Sequence, residues 1–170
     1  MKKLTLLFVL LLSVMVSNKA FAQGTVADVA VGNENFSTLV AALKAADLVG
    51  VLQSEGPFTV FAPTNDAFAK LDPNTLNSLL EPANKAALAN IITYHVVAGQ
   101  LNAADVVKAL NEGGGKVTLT AVNNQTLTVL QKDGKIWLMD SAGNYSEITA
   151  TDVMGSNGVI HVINTVVMPE

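Results

Sequence analysis

The chain has 170 residues, 50% of them hydrophobic and 14% charged, with a formal net charge of −4, no cysteine, and lysine as its only basic residue besides two histidines. This composition excludes a disulfide framework and a cysteine-ligated metal site, and the absence of arginine forks makes nucleic acid and anionic membrane poor partners. The first element predicted is a secretory leader: Lys2-Lys3, an apolar run over 4–16 too short to span a membrane, and Ala20-Phe21-Ala22, which places cleavage between Ala22 and Gln23. The mature chain, 23–170, has the length of one domain, and seven lysines against fourteen acids give it a net charge of −7. No second apolar run of spanning length comes after the leader, so no integral membrane segment is expected after cleavage.

Phe36, Leu39, Val40, Leu43 and Ala46 recur at three- and four-residue spacing, which predicts an amphipathic helix beginning at Asn33 or Asn35 and a shorter one over 48–53. Phe58-Thr59-Val60-Phe61 then reads as a strand bracketed by Pro57 and Pro63, and Thr64 as the cap of a helix carrying Phe68 and Leu71. Asp72-Pro73 opens a helix with Leu76, Leu79 and Leu80 inward. Asn84 caps another over 85–93, which runs into a strand-like Tyr94-His95-Val96-Val97, and Asn102 caps a helix over 103–110.

From Lys116 the period changes to two: Val117 and Leu119, Leu127 and Val129, Ile136 and Leu138 alternate with polar residues as in half-buried strands. Asp133-Gly134 and Asn157-Gly158 are predicted hairpin turns, and 159–168 is a nearly continuous apolar run expected as one long strand covered on both faces. Helices fall in the first half and strands in the second, which predicts an α+β fold.

The chemistry-bearing residues are few. His95 and His161 are the only histidines, too few for a zinc site without cysteine, and both lie in apolar runs where a core histidine satisfied by hydrogen bonds is expected. Gly155-Ser156-Asn157-Gly158 lacks the spacing of a nucleophile elbow, and Gly113-Gly114-Gly115-Lys116 is followed by Val117 where a phosphate loop needs Ser or Thr. No catalytic residue, metal or cofactor is implied. The sequons at Asn35, Asn124 and Asn144 are expected to be unmodified behind a leader of bacterial type.

Three ordered segments, Phe58-Thr59-Val60-Phe61-Ala62-Pro63-Thr64-Asn65-Asp66-Ala67-Phe68, Tyr94-His95-Val96-Val97-Ala98-Gly99 and Ser156-Asn157-Gly158-Val159-Ile160-His161-Val162-Ile163-Asn164, resemble the signature boxes of the fasciclin domain family. The resemblance implies N-terminal helices packed against a mainly antiparallel, twisted β-sandwich or wedge. It also implies a secreted or periplasmic adhesion module without catalytic activity, whose partner is a cell-surface or matrix protein, a glycan, or another copy of the chain. Carried over residue by residue, it marks Asp152 and Val153, with Tyr94 and His95, as partner-binding positions. Val153 and Asn164 stand where many members have Ile and Asp. An exposed Asp152 is expected to contribute little to folding. The alternative is an extracytoplasmic enzyme or small-ligand carrier using His95 and His161, which requires both rings in one cleft with a carboxylate within reach.

Overall fold

The structure, a computed structural model, describes residues 24–170; the leader and its cleavage point lie outside the described residues. Helix α1 (Val26–Val31) opens with a capping box between Thr25 and Asp28 and buries Val26, Ala27 and Ala30. A 3-10 turn over Glu34–Phe36 leads into α2 (Ser37–Ala45), so the predicted single helix is in fact two pieces with Asn33 capping the first. No side chain caps α2 from its own flank; instead Asn65 Oδ1 accepts from the Thr38 N–H at 3.0 Å, a free donor of the first turn. Short helices α3 (Val49–Gln53) and α4 (Asn65–Ala69) follow, with Thr64 capping the latter as expected. Helix α5 (Pro73–Leu80) presents Leu76, Leu79 and Leu80 to the margin of the core, half-buried. Helix α6 (Lys85–Tyr94) buries Leu88, Ile91 and Ile92, and α7 (Ala103–Glu112) buries Val106 and Leu110.

Seven strands form one sheet among the described residues: β1 (Phe58–Pro63), β2 (Val96–Ala98), β3 (Lys116–Thr120), β4 (Thr126–Lys132), β5 (Lys135–Met139), β6 (Tyr145–Gly155) and β7 (Gly158–Ile163), in the order β2-β1-β7-β6-β5-β4-β3. Only β1 and β7 pair in parallel, with Phe61 opposite His161. Their near-continuous apolar sequences are covered on both sides. Val60, Ala62 and Ile160 pack with α1, α2 and α6, while Phe61 and Ile163 point to a second cluster with Leu127, Val129 and Leu138. The second cluster exists because the sheet curls back on itself. The eleven-residue β6 carries two register shifts, between Ile148 and Ala150 and between Ala150 and Val153, so its two ends serve the two halves of the sheet. The curl almost closes: Val97 bridges Ala121, and the Val122 N–H donates to the Val96 carbonyl at 2.8 Å.

Helices α1–α6 gather mainly on one face of a curled, mainly antiparallel sheet, and α7 packs into the second cluster, which makes the fold α+β, as expected. Three local expectations are corrected. Tyr94 ends α6 and His95 is its C-cap, so strand β2 begins only at Val96. The turn between β6 and β7 is Ser156-Asn157, with Gly155 opposite Gly158; Gly158 is a strand residue, where any Cβ would overlap the backbone of Phe58. The long strand expected over 159–168 stops at Ile163. Val166 and Val167 remain buried, but side chains take the tail's N–H groups: Ser146 Oγ that of Thr165 at 3.1 Å, His95 Nε2 that of Val167 at 3.3 Å, and Asp140 Oδ2 that of Met168 at 3.2 Å.

Candidate functional site

The expected partner-binding residues lie in two different settings. Tyr94 is 0% exposed and His95 2%, so neither side chain is offered to a partner in this structure. Tyr94 donates its hydroxyl to the Thr126 carbonyl at 2.8 Å and accepts from the Ser141 N–H at 3.1 Å, joining α6 to the start of β4 and to the β5–β6 connection. Burial raises its phenol pKa above the ordinary value. His95 donates Nδ1–H to the Ile91 carbonyl at 2.8 Å and accepts at Nε2 from Val167, which fixes the tautomer. Desolvation lowers its pKa to about 4, only partly opposed by the bond to Ile91, so the ring is neutral at pH 7.

Asp152 and Val153 sit where β6 bulges. Asp152 is exposed and has φ +57, in the left-handed region that Asp tolerates better than most side chains. Its carboxylate is committed: Oδ1 accepts from the Ala103 N–H at 2.7 Å, a first-turn donor of α7. Its own N–H points at His161 Nδ1 at 3.4 Å, while His161 Nε2 donates to the Leu101 carbonyl at 2.7 Å. Leu101 N–H in turn donates to Thr59 Oγ1 at 2.9 Å, and Thr59 donates to the Gly99 carbonyl at 2.7 Å. One hydrogen-bonded chain therefore runs from β1 through the 99–102 connection and His161 to the β6 bulge and α7. His161 is 1% exposed, and its ring lies against Phe61 with centroids 5.7 Å apart. Val153 is half-buried, with one side packed on the helical core.

Chemically, this arrangement holds a backbone in place. Each histidine ring is occupied by backbone partners, and the Asp152 carboxylate is turned to Ala103 and away from His161. Among the described residues, no group of three or more His, Asp or Glu is placed to hold a metal ion, and no helix is long and apolar enough to cross a membrane. Sequence reasoning missed two residues that build the site. Thr59, fully buried, carries the hydrogen-bond chain into β1, and its only signal was a hydroxyl inside an otherwise apolar strand. Asn157 accepts from the Val26 N–H at 2.9 Å and donates to the Leu52 and Ser54 carbonyls at 2.8 and 2.7 Å. A turn-forming residue in sequence, it is in fact the clamp between the β6–β7 turn and the N-terminal helices.

Comparison with known proteins places this geometry. The chain is 52% identical over 145 residues to Protein sll1483 of a Synechocystis species, across 85% of this chain and 73% of that protein. It is 39% identical over 146 residues to transforming growth factor-beta-induced protein ig-h3 of Sus scrofa, across 86% of this chain but only 19% of that protein. A solved FAS1 domain pair from the insect cell adhesion molecule fasciclin I shares the fold with a TM-score of 0.74 at 21% identity, over 84% of this chain and 50% of that one. The Fasciclin domain model matches residues 34–169, from the turn before α2 through the buried tail that His95 holds, and so the chain belongs to the fasciclin domain family.

Proposed function

We propose that the chain is a secreted surface-interaction module that attaches to a cell-surface or matrix protein or glycan, or to another copy of itself, and performs no catalysis. The observation that carries this reading is the commitment of both histidines: each is buried, and its two ring nitrogens face backbone groups that the fold needs. A hydrolase or ligand carrier built on those rings would need them open to a cleft and beside a carboxylate. Family membership and the likeness to a domain pair from an adhesion molecule support the same reading. Within it, contact is made through the exposed edge of the β6 bulge at Asp152 and Val153, with Tyr94 and His95 acting from inside as supports. Secretion rests on the leader residues and cleavage between Ala22 and Gln23.

Purified protein lacking 1–22 should attach saturably to cell envelopes or matrix of its native source, and unlabelled protein should compete the attachment away. Attachment to none of these fractions would defeat the proposal. A hydrolytic or ligand-binding activity abolished by His161→Asn in a folded protein would favour the enzyme or carrier instead.

A further inference from the structure

The alternation of β5 sends Ile136 and Leu138 toward the sheet's inner cluster and leaves Trp137 on the outer face, between Leu130 of β4 and Glu147 of β6. There the only tryptophan of the chain lines a cavity of about 240 Å³ together with Lys132, Asp133 and Tyr145. Tyr145 is 53% exposed, and the Trp137 Nε1–H, covered from solvent, has no acceptor among the described residues. An orphaned indole N–H beside an exposed phenol ring is an unusual pair to leave on a strand surface, because a covered donor without a partner carries a desolvation penalty. Asp133 has φ +54 in the hairpin turn, the left-handed conformation that such a turn requires.

The geometry points to this cavity as a binding site for one ring of a neutral glycan. Aromatic faces take the apolar C–H face of a pyranose, and the amine and carboxylate take its hydroxyls. The charges decide the class. Lys132 and Asp133 contribute one charge of each sign to the lining, and the neighbouring Lys135 and Glu147 are paired at 2.7 Å, so the site has no excess of either sign to select an anion or a cation. The volume lies below the usual range for pockets of drug-sized ligands, which suits a single ring of a longer chain passing over the surface. The site rests on the adhesion reading, for which it names a glycan as the partner, and it lies apart from the bulge at Asp152.

Because Trp137 is the only tryptophan, its fluorescence reports this site alone. Titration with cellohexaose, laminarihexaose and chitohexaose should give a saturable emission change with at least one of them, and Tyr145→Ala, at an exposed position, should weaken that binding about tenfold or more. Trp137→Phe, followed by calorimetry, should weaken it too while the protein stays folded. A flat titration with all three sugars up to about 10 mM, or binding unaltered by Tyr145→Ala, overturns the site. So does a concentration-dependent emission change without sugar that accompanies a doubled mass in sedimentation, which would assign the face to self-association. Saturable attachment to native envelopes that survives both excess sugar and Tyr145→Ala would overturn the glycan pocket and leave the adhesion reading standing.

Discussion

Phe61 occupies the point where the two cores of the molecule meet. It is 0% exposed, it faces the His161 ring, and it belongs to the cluster enclosed by the curled half of the sheet. Neighbours held on both sides leave little room for collapse, so Phe61→Ala should cost about 3–5 kcal/mol in chemical denaturation. A loss below about 1 kcal/mol would show that the site closes over the gap. His95 makes a different demand, through pH. Its folded pKa of about 4 lies below the ordinary 6.5, so the native state resists binding the proton that the unfolded chain accepts. The stability due to neutral His95 is therefore complete above pH 6.5, falls as pH drops, and is lost below about 4. The size of the shift corresponds to roughly 3 kcal/mol. A protonated Nε2 would also confront the Val167 N–H it now accepts from, so the C-terminal tail should loosen first. His95→Gln should flatten the stability profile between pH 6.5 and 4 relative to the parent; an unchanged slope would assign the acid sensitivity to other groups.

At the scale of elements, the β6 bulge couples a candidate contact surface to a helix end. An exposed carboxylate is ordinarily close to neutral for folding, which is what the sequence suggests for Asp152. Its bond to Ala103 at the start of α7 and its positive φ alter that expectation. Asp152→Ala should lower stability by about 1–2 kcal/mol, through loss of a cap-like acceptor and a left-handed backbone that Ala tolerates less well. Asp152→Asn keeps an acceptor and the conformation and should cost well under half of that. Equal midpoints for parent and Ala variant would mean the Ala103 bond contributes nothing in solution. The pair also separates roles: if Asp152→Asn preserves stability but loses attachment, the charge itself meets the partner. Strand β1, helices α2 and α6, and the Asp133-Gly134 turn were legible because periodicity and turn chemistry are local signals. Strand β6 was not, since Thr149, Ala150, Thr151 and Asp152 break the alternation at the two register shifts. The chain from Thr59 to His161 was equally hidden, because its members are brought together only by the parallel pairing of β1 with β7.

For the molecule as a whole, the open question is how much chain the fold needs. The family match begins at residue 34, yet α1 lies before it and is built into the core. Val26 and Ala27 are 1% exposed and Ala30 3%, all within the helical cluster that also holds Leu39, Leu43 and Leu52. The attachment is polar as well: Asn157 accepts from the Val26 N–H, and the Ser156 N–H donates to the Gly24 carbonyl at 3.0 Å. Gly155 permits this approach, since a Cβ there would stand 2.7 Å from the Val26 nitrogen. Deleting the chain through Gly32 would therefore expose the apolar faces that α1 covers and free Asn157 from one of its partners. Burial of Val26 alone is worth about 1.5–3 kcal/mol, and the conformational entropy recovered by a six-residue helix offsets part of the total. The truncated protein should still fold, because the pairing of β1 with β7 and the enclosed second cluster are kept, but its unfolding free energy should fall by about 2–4 kcal/mol. Amide exchange gives the decisive readout. Protection at Ser156 should drop to the level of local opening, while that of Phe61, whose N–H donates to the His95 carbonyl at 2.8 Å, should decline only with global stability. A truncated protein with an unchanged midpoint and a protected Ser156 amide would show that α1 merely rests on a fold complete without it.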